Sequence, residues 1–305
     1  MSQQFTYKVY VPSHGKYYRY STFDNNSYLS IIKFIQNNDT DQIIDFFHNL
    51  IINCCHDQID ISKLNCVDKF VILLNIRIMS IADRLEIMTK VESGVEKIKN
   101  SVSIDLYDIL DKVTNHPSNK SIRVDIDNMS IDVGLPLSLY NINLDDLIVD
   151  VLLTLNTDKE KFDLTDLTAV EKNELLDNLP GDVLQHSIKY IKRVDETYKI
   201  PVFGSVKQTI SDELRSIELK VFDNSMYELL KSLYNSNLEE QYYIRYVMVK
   251  HMNYNLNEID RITPIDTQTY LNMYRKEIED QKKAQEKSEK SSSGGMTLPT
   301  QSMVQ

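Results

Sequence analysis

Four shortages narrow what this chain of 305 residues can do. Glycine is the first: only seven occur, and no two are spaced as a dinucleotide fingerprint or a phosphate loop requires. A G-x-S-x-G elbow is also missing, so the nucleotide-binding and hydrolase classes that carry these motifs are excluded. Cysteine is the second. Cys54, Cys55 and Cys66 are odd in number and two are adjacent, which does not make a disulfide framework and points to a reducing compartment. Long apolar runs are the third. The most apolar stretch, Phe70 to Ile81, is interrupted by Asn75 and Arg77 and is too short to span a bilayer. The polar start Met1-Ser2-Gln3-Gln4 lacks the apolar run of a signal peptide, so synthesis in the cytoplasm is expected. Basic charge is the fourth. A formal net charge of −11 argues against duplex nucleic acid and against an anionic membrane surface. It favours solubility and makes free copies repel one another.

What is present is ordinary globular composition, 42% hydrophobic and 26% charged, enough for a sizeable core in one large or two unequal domains. Tyr7, Val9 and Val11 alternate with polar neighbours, Pro12-Ser13-His14-Gly15 supplies a turn, and Tyr17 to Tyr20 return as a hairpin. Asn26 or Ser27 is the expected cap of a first helix carrying Tyr28, Ile31, Ile32 and Ile35. A second follows Asp39-Thr40, with Ile43, Phe46, Phe47, Leu50 and Ile51 at helical spacing. A third, Cys66 to Ala82, is apolar almost all round and should be the buried centre of its domain.

Between Ser121 and Leu135 the period changes to two. Ile122, Val124 and Ile126 are expected to turn at Asp127-Asn128 and return through Ile131 and Val133. From Leu144 onward the chain reads as helical, broken at Leu179-Pro180-Gly181-Asp182, with Val183, Ser187, Tyr190, Ile191, Val194 and Tyr198 on one side of the next helix. Lys199 to Gly204 breaks the periodicity and is the candidate domain boundary. Asn224 caps a helix with Met226, Leu229, Leu230 and Leu233, and Asn237 another with Leu238, Tyr242 and Met248 on its inner side. Thr263-Pro264-Ile265-Asp266 starts a last helix that runs into the charged tract Arg275–Lys290, and a polar tail follows Ser291. The expected fold is therefore α+β and predominantly α-helical: an N-terminal domain with small β-hairpins around a buried central helix, then a helical C-terminal part. The expected segments are 1–204, a helical domain 205–263, an amphipathic helix 264–290 and a flexible tail 291–305.

Candidate sites are few. Cys54-Cys55-His56 with Cys66 offers zinc-type ligands, but adjacent cysteines point apart on a helix and no C-x-x-C spacing occurs, so buried structural cysteines are the simpler reading. A calcium loop at Asn156 to Leu167 fails, with Lys161 where glycine is needed and Leu167 where a bidentate Glu belongs. Asp145-Asp146 marks a solvated face. Arg77 shares a helical face with Phe70, Leu73 and Leu74, so its guanidinium must find carboxylate or carbonyl oxygens or emerge at the helix end, for a structural or a partner-binding role. The tyrosine clusters Tyr17, Tyr18, Tyr20 and Tyr242, Tyr243, Tyr246 serve either packing or an interface. The tract from Arg275 is either a solvated helix or a docking helix with Tyr270, Met273 and Ile278 facing a neighbouring subunit. Its second half has almost no apolar residues with which the chain's own core could hold it.

An ordered set of motifs adds a family. Val11-Pro12-Ser13-His14-Gly15-Lys16 is followed by Thr22-Phe23-Asp24, then by Asp41-Gln42-Ile43-Ile44 and Ile51-Ile52-Asn53-Cys54. Last come Leu64-Asn65-Cys66-Val67-Asp68-Lys69-Phe70 and Leu73-Leu74-Asn75-Ile76-Arg77-Ile78-Met79-Ser80. Together these resemble the baseplate hub and hub-assembly family of T-even (T4-type) contractile-tailed bacteriophages, most clearly over residues 7–83. Ser80-Ile81-Ala82-Asp83 departs from the family's S-V-G-E, and the last hundred residues match no family pattern. The resemblance implies a non-enzymatic structural or assembly component of the tail baseplate, needing no cofactor, with other hub and tape-measure proteins as partners and oligomerisation within the tail assembly. It implies assembly in the host cytoplasm and a place in the virion tail if the protein is retained. The alternatives are a transient hub-assembly chaperone and, from a different class, a metal-dependent hydrolase using Cys54, Cys55, His56 and Cys66.

Overall fold

The first hairpin forms where side chains alternate between core and solvent. β1 (Tyr7–Val11) pairs antiparallel with β2 (Lys16–Tyr20), Tyr7 opposite Tyr20 and Val11 opposite Lys16. Gly15 takes φ 62°, a backbone setting that glycine adopts without steric cost, and its N–H closes the turn on the Val11 carbonyl at 3.0 Å. The computed structural model describes residues 6–292 apart from 94–95, 127–128, 141–142, 158–159, 179, 203 and 207–216. The expected turn at Asp127-Asn128 and the tail from 293 lie outside the described residues.

α1 (Asn25–Asn37) is capped by Asp24, two residues before Asn26 and three before Ser27, the expected caps. Asp24 accepts from the Ser27 N–H at 2.9 Å, whereas Asn26 lies inside the helix. Asn25 is buried and donates to the Ile259 carbonyl and to Thr267 Oγ1, so its amide is engaged by the far end of the chain. α2 (Thr40–Cys54) starts on Asp39 as its cap. α3 (Cys66–Ser80) buries all its residues except Met79 and ends before Ala82. Asn65 and Asp68 form a reciprocal capping box at its start. Around it pack β1, α2, α4 (Leu106–Thr114), α8 (Ser225–Tyr234) and α11 (Pro264–Ser292). The central-helix expectation is met.

One stretch carried no expectation, and one expectation needs correction. Residues 84–105 form a long hairpin, β3 (Arg84–Ser93) with β4 (Glu96–Asp105), joined by β10 (Gly204–Val206) in a three-stranded sheet. Its period-two signal, Leu85, Ile87 and Val91 against Ile98, Val102 and Ile104, stands in the sequence. The 121–135 hairpin, β5 (Ile122–Ile126) and β6 (Met129–Val133), is half of a larger sheet. After the short α5 (Leu144–Asp150) the chain is extended rather than helical. β7 (Leu152–Thr157) and β8 (Lys161–Asp163) complete the order β5-β6-β7-β8. The four strands hold together because Ile131, Val133 and Leu152 are buried on one side and α7 (Gly181–Thr197) packs against β5 and β6. α6 (Ala169–Asn178) precedes α7, whose buried side carries Val183, Ser187, Tyr190, Ile191 and Val194 as expected.

Packing runs across the expected boundary at Gly204. Before it, β9 (Ile200–Val202) pairs with β11 (Ile217–Leu219) beyond it, and α8 places Met226, Tyr227, Leu230, Leu233 and Tyr234 in the same core as α3. The Tyr234 hydroxyl donates to the Leu73 carbonyl at 2.8 Å. A separate small cluster begins only after α8: Met248 of α9 (Leu238–Met252), Ile259 of α10 (Leu256–Arg261) and Leu271 of α11. Arg245 and Asp260 form an ion pair that ties α9 to α10.

Candidate partner interface

The residues that carry the family motifs turn inward. Ser13, in the first hairpin turn, donates from its backbone N–H to Asp68 Oδ1 at 3.1 Å and from its hydroxyl to Oδ2 at 2.5 Å. The Asp68 carboxyl is fully buried. Burial raises its pKa, and the Ser13 and Asn65 hydrogen bonds oppose that rise. Lys69 reaches the Leu137 carbonyl at 2.7 Å, tying α3 to the loop after β6. Arg77 is 4% exposed, and its guanidinium donates to the carbonyls of Leu233, Ala82 and Arg84. Of the outcomes open to it, carbonyl satisfaction is the one realised, and Arg77 leaves the set of surface candidates. These groups join the first hairpin, α3, the second sheet and α8 to one another.

The cysteines are poor ligands where they sit. Burial pushes the Cys54 thiol up to about 12 and Cys55 up to about 11, and raises Cys66 still further. Burial here favours the neutral thiol over the thiolate that a metal ligand needs. Among the described residues no three His, Cys, Asp or Glu side chains gather to hold a metal. A cleft of about 370 Å³ between the segment 116–122 and α7 is lined by His116, Lys120, Tyr190 and Arg193. Burial lowers the His116 pKa there, which disfavours the charged form.

The surface that stands out is on α9. Glu239, Tyr242, Tyr243, Tyr246, Val249 and Lys250 recur at helical spacing on one face, and all are exposed. Tyr243 is 65% exposed and Tyr246 51%. Tyr242, expected on the inner side, is turned outward, because the inner positions are taken by Ile244, Arg245 and Met248 packing on α10 and α11. The Tyr243 and Tyr246 ring centroids are 6.4 Å apart. Lys250 Nζ donates to the Tyr246 hydroxyl at 2.6 Å and lies 5.1 Å from that ring's centroid. Tyr17 of the first cluster is exposed, whereas Tyr18 and Tyr20 are core residues. Val249 was not singled out from the sequence, although it stands three residues after Tyr246 on the same face.

The α11 candidates do not share one surface. Thr267 and Leu271 are buried, and half-buried Tyr274 and Ile278 continue that side of the helix. Tyr274 stacks on His251 of α9. Met273 points away and is 64% exposed, and Tyr270 lies between, its ring 6.0 Å from that of Tyr254. The start of α11 is therefore held by the chain itself on its Thr267 and Leu271 side, while Tyr270 and Met273 stay exposed. Residues 279–287 are exposed throughout.

A family model described as T4 bacteriophage base plate protein matches residues 3–237. No curated protein and no solved structure matches the chain. The matched segment contains β1 through α8 and the whole of the main core, and it stops at the residue that caps α9. None of the described helices is long and apolar enough to cross a membrane. Since the match covers well over half of the 305 residues, the chain belongs to the T4 bacteriophage base plate protein family.

Proposed function

We propose that this baseplate protein acts in the central hub of the contractile tail, through protein–protein contacts made by the outer face of α9 and the exposed positions Tyr270 and Met273 of α11. Membership of the family gives the baseplate role itself, structural or in assembly. The observation that carries the finer reading is the tyrosine face of α9. A helix whose two opposite sides are both apolar, with one covered and the other open, has a second surface to bury. Tyrosine suits such a contact, since it supplies a large amphipathic area and loses few rotamers on binding. We read the protein as non-catalytic, supported by protonated thiols and by motif residues spent on internal hydrogen bonds. Its partners on this reading are other hub and tape-measure proteins.

Mass spectrometry of purified virions and of tail intermediates tests this. The expected result is the protein in finished baseplates at fixed stoichiometry. Tyr243→Glu and Tyr246→Glu together should deplete it from particles while its melting temperature is unchanged. Presence in intermediates alone would make it an assembly chaperone. Normal incorporation of the double variant would overturn the α9 interface.

A further inference from the structure

We propose that the open face of α9 is a two-fold contact between two copies of this chain, with the two helices packed antiparallel. The inference rests on reading α9 as an interface and names its occupant. Its basis is the order of groups along the face. Glu239 opens the face, Tyr243 and Tyr246 fill its middle, and Lys250 closes it, all four exposed. A second copy laid antiparallel about an axis at residues 244–245 sets Glu239 against Lys250 of that copy and Tyr243 against its Tyr246. The two-fold repeats each contact. A parallel pair would instead set Glu239 on Glu239 and Lys250 on Lys250. A closed two-fold interface must be complementary to itself, and acid and base at opposite ends of an apolar stripe meet that condition.

The ends are about 16 Å apart, at about 1.5 Å per helical residue, so the paired charges flank the rings without entering the apolar centre. Lys250 is already placed at the stripe's edge by its hydrogen bond to the Tyr246 hydroxyl. The chain's net charge of −11 repels a second copy at long range. At physiological salt that repulsion is screened over roughly 8 Å, and the local complement decides. One face of a 15-residue helix is a small contact. It falls below the roughly 1,200 Å² of stable complexes, so a Kd on the order of 10–100 µM is expected. The contact lies beyond residue 237, outside the segment that the family model matches.

Sedimentation equilibrium of the full chain at about 0.15 M salt, from roughly 5 to 500 µM, tests the proposal. A monomer–dimer equilibrium is expected, abolished by Tyr243→Glu with Tyr246→Glu. Glu239→Lys alone and Lys250→Glu alone should each weaken it roughly five- to tenfold, because each puts like charges together twice. The two reversals combined should return the Kd to within about twofold of the starting value, a rescue that only the antiparallel register gives. Circular dichroism and melting of every variant keep folding defects apart from contact defects. A monomer at all concentrations, or a double reversal no tighter than the single ones, overturns the proposal. If the chain is monomeric yet the tyrosine variant is missing from virions, α9 contacts another baseplate protein and the interface reading alone stands. If the variant is also incorporated normally, both fail.

Discussion

Single side chains of α3 show how much of this protein rests on one helix. Leu73 and Leu74 are fully buried, so truncating either to Ala removes apolar contacts that the dense core cannot refill. A loss of roughly 2–5 kcal/mol is expected in denaturant melts. His48 carries a pH dependence. Burial, helped by the charge of Lys69, lowers it from 6.5 to about 4, and its Nε2 has no hydrogen-bond partner among the described residues. The unfolded chain therefore binds the proton more readily than the folded one between those values. Stability should fall as pH drops from 6.5 towards 4, by about 1–3 kcal/mol once partial solvent screening is allowed for. His48→Gln should flatten that limb of a plot of denaturation midpoint against pH. An unchanged slope would assign the acid loss to other groups. Arg77 was legible as a buried cation needing oxygens, but its three acceptors come from residues 82, 84 and 233, which no local pattern brings together.

At the scale of elements, caps and periodicity were the readable signals. Asp39, Asn237 and Thr263 stand where helices begin and accept from first-turn N–H groups, and Asn224 stands at the start of α8 without a side-chain capping bond. The strands after α5 were missed because Leu152 to Thr157 is short and mixed, and is made a strand by pairing with β6. α11 divides into a held part and a projecting part. Thr267 and Leu271 are buried against α1, α9 and α10, whereas residues 279–287 are exposed. Removing residues 280–305 should leave the melting temperature within about 2 °C. Removing 264–305 should lower it, because Met248 and Ile259 lose their cover and Asn25 loses an acceptor. Hydrogen exchange should show Thr267 to Tyr274 protected in the isolated protein and the segment beyond 279 exchanging fast. Strong protection throughout would mean that the projecting part is also packed.

Among the described residues, one large core built on α3 runs from Val9 of β1 to Tyr234 of α8, and a small second cluster holds α9, α10 and α11 together. The first coincides with the family segment and the second lies beyond it. Composition, the caps, the period-two and helical stretches and the ordered motifs were enough to determine the class, the central helix and the family, because each depends on residues near one another in the chain. The tertiary structure alone decided where the cores divide, which strands joined the second sheet and which side of α9 stayed open. Those outcomes depend on partners beyond the reach of local periodicity: Leu155 pairs with Ile131, Leu271 covers Met248, and Tyr234 reaches back to Leu73. Periodicity tells which residues share a face, but only the neighbours that arrive determine which face is covered. On α9, apolar on both sides, that choice left Tyr243 and Tyr246 outside.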